Sequence, residues 1–232
     1  MFRARRELSC NSAMSGLWDI ESYSRRLQDP AKAERYAKRF TQGSRKRIDW
    51  REQRAVRKSF AQLTECRSVL DVPSGAGRFL HTLSQGGRRV VEMDVAFEIL
   101  TYARAQAAKL QADAQVMQGN AARLPLADGS VDCVFSNRLL HHILSPAERA
   151  DILREFHRVC RRWTIVSFFN YKGLAKLRSF LKRLKGRRPP YEKQPTLQEF
   201  HEEATRSGFR VKAVVGTGAP WRSQKYFVLE RM

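Results

Sequence analysis

The chain has 232 residues, and its 44 lysines and arginines against 23 aspartates and glutamates give a formal net charge of +21. That length suits one α/β domain with a helical extension, and it excludes a small fold that depends on disulfides or a metal. The four cysteines never form a C-x-x-C pair, which argues against a zinc site and favours a reduced compartment. No apolar run is long enough to cross a bilayer, so the expected location is cytoplasmic.

Residues 17–63 are predicted to be helical, with basic faces turned outward. Its apolar anchors are Tyr36, Phe40, Val56, Phe60 and Leu63. We assign residues 1–63 to a basic N-terminal helical extension and residues 64–232 to the main domain. Lysine and arginine concentrate in residues 25–58, and again in residues 172–191, which are predicted to form a basic amphipathic insertion.

From residue 68 onward, strands alternate with helices, which is typical of a parallel sheet covered on both faces. The predicted strands cover residues 68–72, 88–94, 114–119, 131–136, 163–169, 210–215 and 225–230. The predicted helices begin near Gly77, span 97–110, run from Pro146 through Cys160, and cover 196–207. The expected fold class is therefore α/β, with a doubly wound, mostly parallel seven-stranded sheet.

The first strand leads into two glycines, Gly75 and Gly77, in the segment SVLDVPSGAGRFL. In a doubly wound sheet, ligands bind beyond the carboxyl ends of the strands, often beside the first strand–helix turn. A dinucleotide site would need a third glycine where Leu80 stands, and a P-loop would need a Lys-Ser or Lys-Thr pair after the glycines. Neither phosphate-binding motif fits this turn.

This turn is part of a longer series of motifs along the chain. They are Asp71, the two glycines, Asp94 at the end of the second strand, and then the segments GNAARLPLADGSVDCVF and NRLLHHI. Over about residues 66–170 this order resembles the Rossmann-like class I S-adenosylmethionine-dependent methyltransferases, in particular the small-molecule and quinone-biosynthesis branch. Members of that family usually have glycine where Pro73 stands. Proline removes one backbone donor and fixes φ, and we expect the turn to persist.

The resemblance implies S-adenosylmethionine as the cofactor and a role for each motif. The two glycines would let the backbone approach the methionine portion, and Asp71 would hold its ammonium directly or through water. Asp94 would accept hydrogen bonds from both ribose hydroxyls, the alternative being a helix cap. Asn120 and Ala121 would lie at the adenine, although the family more often has aspartate first and a turn-forming asparagine is the alternative. The candidate cofactor-binding residues are Asp71, Pro73, Gly75, Gly77, Asp94, Val95, Asn120, Ala121 and Asn137.

Catalysis needs few special residues in this class of reaction. Methyl transfer is an in-line displacement, so holding the acceptor beside the methyl group supplies much of the acceleration. A base is needed only when the acceptor atom carries a proton. The candidate bases are His142 and then His141, just beyond the fourth strand, the alternative being that they orient the loop and cap a helix. No metal site is predicted.

The predicted function is methyl transfer to a small-molecule or lipid-linked acceptor, and an anionic acceptor is one of the options. An RNA methyltransferase is the first alternative, because the net charge attracts polyanions, and a non-catalytic binding module is the second. The sequence SNRLL stands where methylases of base amines carry an Asn/Asp-Pro-Pro-aromatic motif, and Cys133 and Cys160 are expected to be inert core residues. Residues 25–58 and 172–188 are the candidate contacts with RNA or with the inner face of an anionic membrane.

Overall fold

The computed structural model describes residues 27–40, 43–169, 196–219 and 224–232. Its centre is a seven-stranded sheet with the strand order β3-β2-β1-β4-β5-β7-β6. The strands are β1 (Ser68–Asp71), β2 (Arg89–Asp94), β3 (Ala114–Gln118), β4 (Val131–Ser136), β5 (Cys160–Phe169), β6 (Phe209–Gly216) and β7 (Gln224–Arg231). Strand β7 is antiparallel to β5 and β6, and the other neighbouring strands are parallel. The predicted fold class is confirmed.

Helices cover both faces of this sheet. They are α1 (Pro30–Ala37), α2 (Gly43–Phe60), α3 (Leu80–Leu83), α4 (Phe97–Leu110), α5 (Pro146–Val159) and α6 (Leu197–Arg206), with 3-10 turns at Lys38–Phe40 and Leu140–His142. One apolar core includes Phe156 of α5, and a second includes Val56 of α2. Successive residues of β1, Val69 and Leu70, belong to different cores, as expected for a strand covered on both sides.

The described part of the N-terminal extension packs on the main domain. Asp29 caps α1 and Pro30 occupies its first turn, a combination that favours a helix start. Leu27 and Ala33 form a small apolar cluster with Ile99 of α4. Of the five predicted anchors, two are buried and three are half-buried; the buried ones are Val56 and Phe60, and the half-buried ones are Tyr36, Phe40 and Leu63.

Two predicted element boundaries are wrong. Helix α3 begins at Leu80 and has four residues, because the turn after β1 continues past Gly77 to Phe79. Cys160 was expected on a helix, but α5 ends at Val159 and Cys160 has extended backbone angles, φ −80° and ψ 141°. An apolar residue between a buried helix and a buried strand fits the hydrophobic pattern of either element. The pattern therefore does not show where α5 ends and β5 begins.

The buried character of the cysteines is as predicted. Cys133 and Cys160 are fully buried and, like Cys66, form no disulfide. Burial raises the pKa of both buried thiols. The predicted basic insertion, residues 172–191, lies outside the described residues. None of the helices in the described ranges has the length and apolar character that crossing a bilayer requires.

Candidate active site

The turn after β1 is shaped by two glycines in the left-handed region. Gly75 has φ +57° and Gly77 has φ +71°. The Ser74 N–H donates to the Met93 carbonyl at 2.8 Å, which ties the turn to β2. A β-carbon on Gly77 would stand 3.2 Å from the backbone of Ala103 in α4. The backbone conformation and the close approach of α4 both favour glycine, and the turn persists beside Pro73.

Asp94 connects this turn to the beginning of α4. Its Oδ2 accepts a hydrogen bond from the Gly75 N–H at 2.9 Å, and its Oδ1 accepts one from the Ala96 N–H at 3.0 Å. The side chain is fully buried. Ala96 is the N-cap position of α4, so the carboxylate supports the helix start from two residues upstream. A carboxylate oxygen can accept more than one hydrogen bond, so a ribose hydroxyl is a chemically suitable donor to this side chain.

Two more carboxyl groups, Asp71 and Glu92, are register partners on β1 and β2, and both are buried. Within the described residues, neither oxygen of Asp71 accepts a hydrogen bond. Burial raises the pKa of Asp71 well above its usual range, and nearby Glu92 and Asp94 raise it further against the opposing charge of Arg78. Burial also raises the pKa of Glu92 to about 8. Glu92 is not among the predicted site residues, although a charged residue inside a buried strand is a signal visible in the sequence.

The candidate adenine contacts follow β3 at the same edge of the sheet. Strand β3 is parallel to β2, with Gln118 opposite Asp94. Asn120 comes two residues later, and its Oδ1 accepts a hydrogen bond from the Ala122 N–H at 2.9 Å, as a turn-forming asparagine does. Ala121 is buried. The structure therefore brings these residues to the edge of the sheet formed by the carboxyl ends of the parallel strands, called the carboxyl edge below. There, the side chain of Asn120 stabilises its own turn.

Asn137 lies directly after β4 and is held by the last strand. Its Oδ1 accepts hydrogen bonds from the Tyr226 hydroxyl at 2.9 Å and from Gln224 Nε2 at 3.4 Å. Both partners belong to β7, which reaches this position because it pairs with β5. The sequence analysis missed both, since the antiparallel return of β7 leaves no local signal.

The two candidate bases occupy different environments in the 3-10 turn after β4. Their ring centroids are 3.9 Å apart, and the His141 ring lies 4.4 Å from Phe169. Burial lowers the pKa of His141 to about 2, and the charges of His142 and Arg138 contribute to this shift. His142 is half-buried. His141 is thus a neutral, packed ring, and His142 is the more accessible of the two.

Among the residues that the structure describes, no group of three histidine, cysteine, aspartate or glutamate side chains is arranged to hold a metal ion. The described site is instead a turn with two glycines beside buried carboxyl groups.

This architecture occurs among solved methyltransferases. It is similar to magnesium protoporphyrin IX methyltransferase from Synechocystis PCC 6803 with bound SAH, with a TM-score of 0.73 and 18% identity over 92% of this chain and 100% of that chain. At that identity the likeness concerns the fold alone. The fold is that of the class I S-adenosylmethionine-dependent methyltransferases.

The sequence comparisons agree with this class. Residues 70–168 match the methyltransferase domain family. The chain is 38% identical over 100 residues to malonyl-[acyl-carrier protein] O-methyltransferase of Pectobacterium atrosepticum, covering 43% of this chain and 37% of the relative. It is 37% identical over 97 residues to a 37.1 kDa protein in transposon TN4556 of Streptomyces fradiae, covering 40% of this chain and 27% of the relative. The chain therefore spans about a third of the length of these curated relatives, and the methyltransferase domain family is matched within residues 70–168.

Proposed function

We propose that this protein transfers the methyl group of S-adenosylmethionine to a small-molecule or lipid-linked acceptor. The observation that carries the proposal is the hydrogen bond from the Gly75 N–H to the buried carboxylate of Asp94 at the end of β2, with a second buried carboxyl group, Asp71, at the end of the neighbouring β1. S-adenosylmethionine has an ammonium and a sulfonium and no phosphate. It therefore suits a site at the carboxyl edge in which buried carboxyl groups lie next to a glycine turn. Asp71, buried with no hydrogen-bond partner in the described residues, supports this fit, because an ammonium would satisfy it.

The proposed roles follow the positions of the residues at this edge. Asp71 would hold the ammonium and Asp94 the ribose hydroxyls, while Asn120 and Ala121 would border the adenine. Asn137, fixed by β7, would face the methionine portion. Pro73 and Val95 would complete the proposed contacts. When bound, the cofactor supplies an electrophilic methyl group, and the protein's task is to align an acceptor atom with it.

His142 is the proposed base for an acceptor that carries a proton. His141 is the weaker candidate, because an imidazole whose pKa is about 2 accepts a proton poorly at neutral pH. A carboxylate acceptor would need no base. The relative named malonyl-[acyl-carrier protein] O-methyltransferase supports a small or carrier-linked acceptor. The net charge of +21 favours an anionic acceptor.

Labelled S-adenosylmethionine and fractionated cell extract test this proposal. We expect label to enter the small-molecule or lipid fraction with the wild type, and to fall at least tenfold with Asp94→Ala. Asp113→Asn, an exposed carboxylate at the amino end of β3, serves as the control. Label in RNA would favour the RNA methyltransferase. Binding of S-adenosylhomocysteine (SAH) without any transfer would favour the binding module.

The partner proposal rests on the exposed face of α2. Arg47, Arg54 and Lys58 lie on this face with Trp50, whose exposed fraction is 57%. The Arg54 guanidinium lies 5.6 Å from the centroid of the Trp50 ring. A basic face with an exposed tryptophan suits an anionic bilayer surface, and RNA phosphates are the alternative ligand. The second proposed contact, residues 172–188, lies outside the described residues.

A further inference from the structure

One buried carboxylate of the N-terminal extension joins the two sides of the candidate active site. Glu52 of α2 has an exposed fraction of 1%. Its Oε2 accepts a hydrogen bond from Arg78 Nη2 at 2.6 Å, and its Oε1 accepts hydrogen bonds from Nη2 and Nε of Arg138. Arg78 directly follows Gly77 of the cofactor turn, and Arg138 directly follows Asn137. Glu52 therefore connects the glycine turn with the segment after β4, residues 137–142, which carries the two candidate bases and is called the acceptor-side loop below.

Arg78 is held by α2 through both its side chain and its backbone. Its Nη1 donates to Asp49 Oδ1 at 2.7 Å, and its carbonyl accepts a hydrogen bond from Gln53 Nε2 at 3.0 Å. Its guanidinium carbon lies 4.2 Å from the ring centroid of Phe40 and 4.1 Å from that of Phe79. Arg78, which lies within the turn after β1, is thus fixed by the N-terminal extension.

Arg138 is fixed in a comparable way on the acceptor side. Its backbone is left-handed, with φ +61°, and its N–H donates to Ser167 Oγ at 2.7 Å. Its guanidinium carbon lies 5.5 Å from the ring of Phe40 and 5.6 Å from that of Phe169. Phe169 also packs against His141. Phe40 therefore contacts both arginines that Glu52 binds, and Arg138 borders the turn that carries the candidate bases.

The charge of Glu52 is essential to this arrangement. A buried carboxylate can accept hydrogen bonds from two guanidinium groups, whereas a glutamine would direct an NH₂ group at one of them. Removing one partner of a buried ion pair leaves the other charge uncompensated, which is strongly unfavourable. The same extension also contacts the turn through Tyr36, whose Cε1 lies 3.5 Å from where a β-carbon of Gly75 would stand.

We infer that Glu52 is a positioning residue for methyl transfer. By holding Arg78 and Arg138 on one carboxylate, it sets the cofactor turn and the acceptor-side loop relative to each other. The inference rests on the proposed function, because it concerns how the two halves of that site are kept in place. The N-terminal extension is then part of the active site rather than an appendage, and cofactor binding orders the acceptor-side loop through Glu52.

Calorimetric titration with SAH tests the cofactor half of this inference. We expect Glu52→Gln to weaken SAH binding at least tenfold in protein that circular dichroism shows to be folded. The control, Glu34→Gln, neutralises an exposed carboxylate of α1 and should bind SAH like the wild type. A merely structural role would lower the unfolding temperature and leave the affinity of the folded protein unchanged, and that result would overturn the inference. No SAH binding by the wild type would instead overturn the proposed function.

Hydrogen exchange of Arg138→Met tests the acceptor half, including the case in which Glu52→Gln fails to fold. This variant leaves Glu52 paired with Arg78. In the wild type, SAH should slow amide exchange in residues 75–78 and also in residues 139–142. In Arg138→Met, we expect protection of 75–78 to remain and protection of 139–142 to be lost. Equal protection of both segments in the variant and the wild type would overturn the inference.

Discussion

At the scale of single residues, the carboxyl edge concentrates acidic groups where the cofactor is proposed to bind. Asp71, Glu92 and Asp94 are all buried, and Asp94 accepts hydrogen bonds from the backbone of the turn and of α4. Burial and mutual repulsion raise the pKa values of Asp71 and Glu92. A cation bound beside them would favour their ionised forms. We therefore interpret the cluster as complementary to the positive charges of S-adenosylmethionine.

Asp94→Asn should weaken SAH binding about tenfold or more. The amide keeps one acceptor oxygen and loses the charge that strengthens hydrogen bonds to ribose hydroxyls, and about 1.4 kcal/mol corresponds to tenfold in affinity. Calorimetric titration measures the change. Asp113→Asn should bind SAH like the wild type, and an unchanged affinity in Asp94→Asn would remove Asp94 from the proposed ribose site.

Glu92→Gln should change how stability depends on pH. The pKa of Glu92 in the folded protein is about 8, above its ordinary value of 4.5. Its stabilising contribution is therefore fully present below its ordinary pKa and is lost as the pH rises through about 8. Between pH 5 and pH 8, the wild type should lose about 3–4 kcal/mol more of its unfolding free energy than the variant does.

Urea denaturation of the cofactor-free protein at the two pH values makes this comparison. Glu202→Gln, an exposed residue of α6, is the matched control and should follow the wild type. If Glu92→Gln lost stability as steeply as the wild type over this interval, Glu92 would not be the group that titrates there.

At the scale of elements, a buried arginine joins α5 and α6 beneath the acceptor-side loop. Arg149 of α5 donates two hydrogen bonds to the carboxylate of Glu203 in α6, at 2.9 and 2.6 Å. It also donates to the carbonyls of Ile143 and Leu144, at 2.7 and 2.9 Å. The exposed fraction of its side chain is 2%. This arginine fixes the chain that follows the two histidines.

Glu203→Gln should destabilise the protein by about 3 kcal/mol, because it leaves the buried guanidinium without its counter-charge. Glu202→Gln, at the neighbouring exposed position, should change stability by less than about 0.5 kcal/mol. Denaturant unfolding measures both. Similar values for the two variants would show that the ion pair between α5 and α6 contributes little.

The secondary-structure elements were easier to predict from the sequence than the side-chain contacts between residues far apart in the chain. The glycine turn and the residues at the ends of β1, β2 and β4 were predictable because each belongs to a local pattern. Tyr226 and Glu52 were not, since the first reaches Asn137 through the antiparallel return of β7, and the second reaches Arg78 and Arg138 across the chain fold. Such pairs depend on tertiary packing, which hydrophobic periodicity does not encode.

At the scale of the whole molecule, the net charge of +21 predicts salt-dependent attraction to anionic surfaces. The described face of α2 combines exposed arginines and lysines with Trp50. Its acidic residues Asp49 and Glu52 instead pair with Arg78. The basic face of α2 therefore has few local counter-charges on its own helix.

Arg47→Glu/Lys58→Glu should weaken binding to phosphatidylglycerol vesicles at least tenfold, since each basic residue near such a surface contributes about 1 kcal/mol. Vesicle cosedimentation measures this, and added salt should weaken wild-type binding. The control, Arg104→Glu/Lys109→Glu, makes the same charge change on α4. If both variants lost vesicle binding equally, the net charge of the protein and not the basic face of α2 would determine binding. Binding to RNA but not to vesicles would favour the RNA alternative.

A crystal structure with SAH tests the central claim most directly, because it locates the nucleoside. We predict the ribose hydroxyls within hydrogen-bond distance of Asp94 and the methionine ammonium beside Asp71, with the glycine turn against the amino-acid portion. SAH bound elsewhere, or bound at this edge with its ribose away from Asp94, would contradict the account.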